Sequence, residues 1–216
     1  MEDFIADIHL ALTSFHTPHL DEFMLIISGF AEWFPWLLAI AILVFGIVTY
    51  HNTHRAELYE EVPLEEQTPR WKTIGWHALP LLAQLLSTVI VQPLKYLINA
   101  PRPLAWFAAH YPDVSLYLAD QFDPDYYMSF PSGHTASAFA IATSLILMMP
   151  KNFSQGGKMI IVLFLLGCAT IAGYSRIYLN QHFFHDVAAG AIIGMFAAWA
   201  VWKIWQVLQS RHSKMY

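Results

Sequence analysis

Eight residues of this 216-residue chain have types and spacings suited to joint chemistry. Pro131-Ser132-Gly133-His134 opens a strongly apolar run in YYMSFPSGHTASAFAIATSLILMM. Ser132 carries a hydroxyl donor, and Gly133 lets a backbone N–H approach a ligand with no Cβ in the way. At a helix start, unbonded N–H groups and the helix dipole favour an anion. Further on, Arg176, His182 and Asp186 stand in YSRIYLNQHFFHD. His182 and Asp186 are spaced i and i+4, which on a helix puts them on one face. Asp186 would accept a hydrogen bond from one imidazole nitrogen, fixing the tautomer and leaving the other nitrogen as a nucleophile. His134 begins a different helix and would serve as general acid toward a leaving oxygen. Lys95 and Arg102 stand in KYLINAPRP, a segment with no acidic residue. Guanidinium forks match phosphate oxygens. Together Lys95, Arg102, Ser132, Gly133 and Arg176 read as a phosphate cradle around two working histidines.

Residues so far apart need elements that bring them together. The chain is 56% hydrophobic and 12% charged, about half the charged share of soluble domains. That predicts an integral membrane protein, all-α, built as a polytopic bundle. A spanning helix needs about 20 apolar residues. Five segments answer to that: 33–50, 73–97, 133–149, 158–176 and 186–206. Pro80 and Pro93 are kink positions in the second. Gly190 and Gly194 in the fifth form a small-xxx-small pair suited to close helix packing, or reflect an Ala/Gly-rich composition. In the first 32 residues, DFIADIHLALTSF and FMLIISGFAEW flank a break at HTPHLDE. Each piece is too short to span alone. They read as interfacial or re-entrant helices, or as a kinked sixth span. The expected organisation is one membrane-embedded domain over 1–216, with interfacial helices at 1–32, the bundle at 33–206 and a cytoplasmic tail at 207–216.

The basic residues orient this bundle. With five spans, Arg55, Arg70, Lys72, Lys151, Lys158, Lys203, Arg211 and Lys214 fall on one side. The positive-inside rule makes that side cytoplasmic. Only Lys95, Arg102 and Arg176 fall on the other, together with Ser132, Gly133, His134, His182 and Asp186. Hydropathy thus gathers all eight chemical residues at the outer face. The N-terminal MEDFIADIHLALTSF is acidic where a signal peptide would be basic. The single cysteine, Cys168, makes no intrachain disulfide. A net charge of -5 argues against nucleic acid as a partner.

Lys95-x6-Arg102-Pro103, Pro131-Ser132-Gly133-His134 and Ser175-Arg176-x5-His182-x3-Asp186 together resemble the three-part signature of the type 2 phosphatidate phosphatase superfamily. That group includes lipid phosphate phosphatases and vanadium-dependent haloperoxidases. The resemblance spans residues 95 to 186 and implies a role for each residue. Lys95, Arg102, Ser132, Gly133 and Arg176 would hold phosphate oxygens. His182 would attack phosphorus to give a phosphohistidine. Asp186 would orient His182, and His134 would protonate the leaving group and then activate water. No metal or other cofactor is implied. A bacterial inner-membrane enzyme with its site on the periplasmic face is the expected setting.

The resemblance points to a prenyl diphosphate such as undecaprenyl diphosphate, or to a phospholipid phosphate such as phosphatidylglycerol phosphate or phosphatidate, with lipid A phosphates as an alternative. A lipid-to-lipid phosphotransferase, a non-catalytic lipid-binding protein and a haloperoxidase remain as alternatives, and the oligomeric state is undetermined. His185 adjoins the motif and competes as an imidazole, but its neighbour Asp186 is expected to face it poorly. His51 and His54 are spaced i and i+3 with no completing ligand set, so no metal site is expected. Residues 104–130 are rich in aromatics, among them Trp106, Tyr117, Phe122 and Tyr126. They also hold Asp113, Asp120, Asp123 and Asp125 without a Lys or Arg. They read as an interfacial aromatic belt, as a lid over the headgroup, or as both.

Overall fold

The computed structural model describes residues 2–60, 62–63, 69–118 and 126–212. Phe122, Asp120, Asp123 and Asp125 of the expected lid, and Lys214, lie outside the described residues. Among the described residues the regular elements are all helices: α1 (Glu2–Leu12), α2 (Pro18–Tyr59), α3 (Arg70–Ile98), α4 (Pro103–His110), α5 (Gly133–Leu147), α6 (Gln155–Tyr178) and α7 (Phe184–His212). Four of them, α2, α3, α6 and α7, are long and apolar enough to cross a membrane. The protein is an all-α, polytopic membrane bundle.

The N-terminal third differs from the sequence expectation. The break at HTP is real: Thr17 accepts from Leu20 N–H as N-cap, and Pro18 takes the first helical turn, where its missing N–H costs nothing. Beyond it, however, residues 18–32 do not form a separate helix. They continue through Pro35 into the expected first span as one helix of 42 residues. Its buried side chains are Asp21, Met24, Ser28, Ala31, Pro35, Ala39 and Gly46. Those steps of three, four and finally seven residues are a single helical stripe packed on the bundle. Pro35 lies in that stripe, where packing from neighbouring helices offsets the lost backbone bond.

α5 is the axis of the bundle. It contacts α2, α3, α6 and α7, most extensively α7. Its buried face is correspondingly small: Ala136, Ala138, Ala140 and Ala142 are all buried. The expected span 133–149 ends early, at Leu147, because Pro150 follows and disfavours helix in the residues before it. With 15 residues, α5 is about 22 Å long against a hydrocarbon core of about 30 Å.

Gly190 and Gly194 do form a packing pair. A Cβ on Gly190 would lie 2.4 Å from Ser132 O, and one on Gly194 would lie 2.2 Å from Ala136 O. The α7 backbone therefore rests directly on that of α5. On the other flank, α3 is clamped to α5 by a buried amide. Gln84 Nε2 donates to Ser137 O at 2.9 Å, and Ser137 Oγ donates back to Gln84 Oε1 at 2.7 Å. Both polar ends are satisfied, as an apolar surrounding requires. α3 runs unbroken through Pro80 and Pro93. α7 runs on through residues 207–212, which the sequence reading set apart as a tail.

Candidate active site

The C-terminal ends of α3 and α6 meet the N-terminal ends of α5 and α7. A cavity of about 370 Å³ opens there, lined by Lys95, Arg102, Gly133, His134 and His182 together with Glu32, Trp36, Val91 and Gln92. Five of the eight expected site residues thus face one space. Ser132, Arg176 and Asp186 are not on its wall; they are buried immediately behind it.

Arg102 is buried at the start of α4. Its Nε donates to Tyr127 O at 2.9 Å, and its Nη1 donates to Gln181 Oε1. Lys95 Nζ donates to Met128 O at 2.6 Å. Ser129 N–H donates to Ala100 O at 3.0 Å. The two cations therefore hold the segment that leads into Pro131-Ser132-Gly133-His134. Arg176 Nη1 donates to Ser28 Oγ, which ties α6 to α2.

Ser132 is fully buried. Its N–H donates to Asp186 O at 3.0 Å, and its hydroxyl oxygen accepts from Thr135 Oγ1 at 2.9 Å. It pins α5 to the start of α7, rather than pointing its hydroxyl into the cavity as the sequence suggested. Gly133 does face the cavity. A Cβ there would meet Val91 and Lys95 at ordinary contact distances of 3.7 and 3.8 Å.

His182 precedes α7 instead of lying on it, so the one-face argument from helix spacing does not apply. The turn brings it to Asp186 all the same, with Nδ1 3.6 Å from Asp186 Oδ2. The same Oδ2 accepts Phe183 N–H at 2.9 Å, a reach back from the first helical turn like that of a capping box. It also accepts Ser129 Oγ–H at 2.5 Å. Ser129 Oγ lies 3.4 Å from His182 Nδ1. Since the Ser129 proton goes to the carboxylate, both oxygens near Nδ1 are acceptors. They place the imidazole proton on Nδ1 and leave Nε2 with its lone pair. Burial is the largest influence on His182 and lowers its pKa to about 3, with Arg176 acting in the same direction. Asp186 opposes that shift without cancelling it. A neutral imidazole results.

His185 departs from expectation. Its Nε2 lies 3.2 Å from Asp186 Oδ1, so adjacency along the chain does not keep the pair apart. Its ring is half-exposed, stacks on Phe183, and lies off the cavity wall.

Three contributions escaped the sequence. Ser129 has no spacing signature, since it reaches Asp186 across 57 positions. Glu32, on α2, sets Oε2 3.9 Å from His134 Nε2. Its signal was available as a carboxylate interrupting an apolar run. His9, on α1, is buried against Phe107 and Phe183 and donates through Nε2 to Asn180 Oδ1 at 2.8 Å. It thereby braces the turn that carries His182. Among the described residues, no group of three or more His, Cys, Asp or Glu is arranged to hold a metal ion.

The PAP2 superfamily profile matches residues 76–210. Lipid phosphate phosphatase 1 of Arabidopsis thaliana is 33% identical over 133 residues, covering 55% of this chain and 41% of that protein. Lipid A 4'-phosphatase of Bacteroides thetaiotaomicron is 34% identical over 82 residues, covering 38% of this chain and 33% of that one. The chain thus spans less than half the length of these curated relatives. Among solved structures, Aquifex aeolicus LpxE superposes with a TM-score of 0.59 at 26% identity, covering 92% of this chain and 94% of that one. A transmembrane PAP2-type phosphatidylglycerolphosphate phosphatase from Bacillus subtilis gives a TM-score of 0.63 at 21% identity. It covers 95% of this chain and 86% of its own, and shares the fold.

Proposed function

The chain belongs to the PAP2 superfamily, and on that premise we propose that it is a membrane lipid phosphatase acting through a phosphohistidine. The observation that carries this reading is the convergence of three sequence-distant segments on one cavity, with Lys95, Arg102, Gly133, His134 and His182 on its wall. Lys95 and Arg102, with Arg176 behind them, supply positive charge for phosphate oxygens. The first-turn N–H groups of α5 supply donors, and the helix dipole adds to the field. His182 Nε2 attacks phosphorus in line, and the P–O bond to the lipid breaks. His134 gives its proton to the departing oxygen. Asp186 and Ser129 hold the Nδ1 proton and balance the charge that appears on the ring. Water then gives a proton to His134 as its oxygen attacks phosphorus. The P–N bond breaks and phosphate leaves. Catalysis is mainly positioning and electrostatic stabilisation.

The substrate is a lipid bearing a phosphate or diphosphate headgroup. The similar proteins support this, since they include a lipid phosphate phosphatase and a lipid A 4'-phosphatase. The bundle itself, open to lipid on its outer surface, supports a membrane substrate. The charge asymmetry of the chain supports a site on the face away from the cytoplasm, which in a bacterial inner membrane is the periplasmic face. One membrane-embedded domain would carry the whole activity. The test is phosphate release by purified protein in detergent. The panel contains prenyl diphosphate, phosphatidate, phosphatidylglycerol phosphate and lipid A. At least one is hydrolysed, and His182→Ala lowers that rate by about a thousandfold or more. Undiminished turnover in His182→Ala would sink the reading.

A further inference from the structure

The carboxylate of Glu32 stands on the wall of a cavity otherwise suited to an anion. We infer that it makes this a site for lipid phosphate monoesters and against lipid diphosphates, an inference that rests on the phosphatase reading. Glu32 Oε2 is 3.9 Å from His134 Nε2. A leaving oxygen within hydrogen-bond reach of that nitrogen, about 3 Å, lies at most about 7 Å from the carboxylate. With a monoester, the bond from phosphorus to that oxygen breaks, the oxygen takes the His134 proton, and a neutral alcohol departs past Glu32. With a diphosphate, the same oxygen belongs to a second phosphate. The group that departs past Glu32 is then an anion, and like charges at this distance repel.

The rest of this end of the bundle does not compensate. Among the described residues lining the cavity, the Lys and Arg side chains are Lys95 and Arg102 alone. In sequence, residues 1–32 and 103–130 contain no Lys or Arg at all. The positive charge at this end therefore amounts to the three cations of one phosphate cradle. On the α2 side, the described residues that line the cavity include no Lys or Arg, and Glu32 stands there instead.

The test compares a prenyl monophosphate with the diphosphate of the same chain length, measuring kcat/KM for each in detergent. Wild type favours the monophosphate. Glu32→Gln raises the diphosphate-to-monophosphate ratio about tenfold, and Glu32→Ala does the same if the amide variant fails to fold. Glu32→Asp keeps the wild-type ratio, which a purely structural role for residue 32 does not predict. A wild type that prefers the diphosphate overturns the inference while leaving the phosphatase reading intact, as does an unmoved ratio in a folded neutral variant. Absence of phosphate release from every lipid overturns both.

Discussion

His182 is 1% exposed, and its burial holds the imidazole neutral with its lone pair available for attack. Stability should record the same fact. The folded-state pKa of about 3 lies below the unfolded value of about 6.5. Between those values the unfolded chain binds more protons than the folded one, so stability rises with pH through this window and is lost on acidification. His9 shares the sign, since burial also lowers its pKa. Thermal unfolding of the purified protein at pH 7 and pH 4 checks this. His182→Gln should lose less on acidification than wild type, by about 5 °C, and equal losses would refute a neutral buried His182. Most of the candidate site was legible at this scale because signature residues keep their spacing. Ser129 was not, because nothing in a sequence tells a serine that donates to a buried carboxylate from one that faces water. The placement of Ser132 behind the cavity wall was not legible for a related reason. The partners of its N–H and its hydroxyl oxygen, Asp186 O and Thr135 Oγ1, are set by how α5 docks on α7.

At the scale of elements, the α5–α7 contact fixes the site. Ser132 O is the atom that a Cβ on Gly190 would strike, so helix packing and site geometry share one backbone contact. Gly194→Val places a branched side chain where a single Cβ would already lie 2.2 Å from Ala136 O. The helices must separate, at about 3 kcal/mol or more. Yield of folded protein and thermal stability read that loss, and a variant of wild-type stability would contradict the packing. Hydropathy found α3, α6 and α7 to within a few residues because composition and periodicity agree along them. It failed on α2. Glu32 and Pro35 interrupt the apolar run, and a window that averages hydropathy sees an ending there. The stripe of Asp21, Met24, Ser28, Ala31, Pro35 and Ala39 shows that burial, not hydropathy, carries the helix through. The consequence is substantive, because Ser28 and Glu32 lie in the part that reads from sequence as interfacial helices or a kinked extra span.

For the whole molecule, the proposal fixes a direction across the membrane. Asp113, beyond α4, and Lys151, between α5 and α6, are exposed at opposite ends of the bundle. In a Cys168→Ser background, a membrane-impermeant maleimide applied to intact bacterial cells should label Asp113→Cys. Lys151→Cys should label only after lysis. The reverse pattern would invert the topology and put the reaction in the cytoplasm.

The brevity of α5 bears on the membrane as much as on the protein. A helix about 8 Å shorter than the hydrocarbon core cannot bring both ends to the interface. Either the bilayer dips at one end or that end lies sunken beneath it. His134 rides on one of those ends. The depth of the reaction is then set by helix length, while the depth of the lipid headgroup is set by bilayer thickness. For the proposed lipid phosphatase, the difference between the two is the distance a substrate would have to descend, and lipid composition would tune turnover without touching a single side chain.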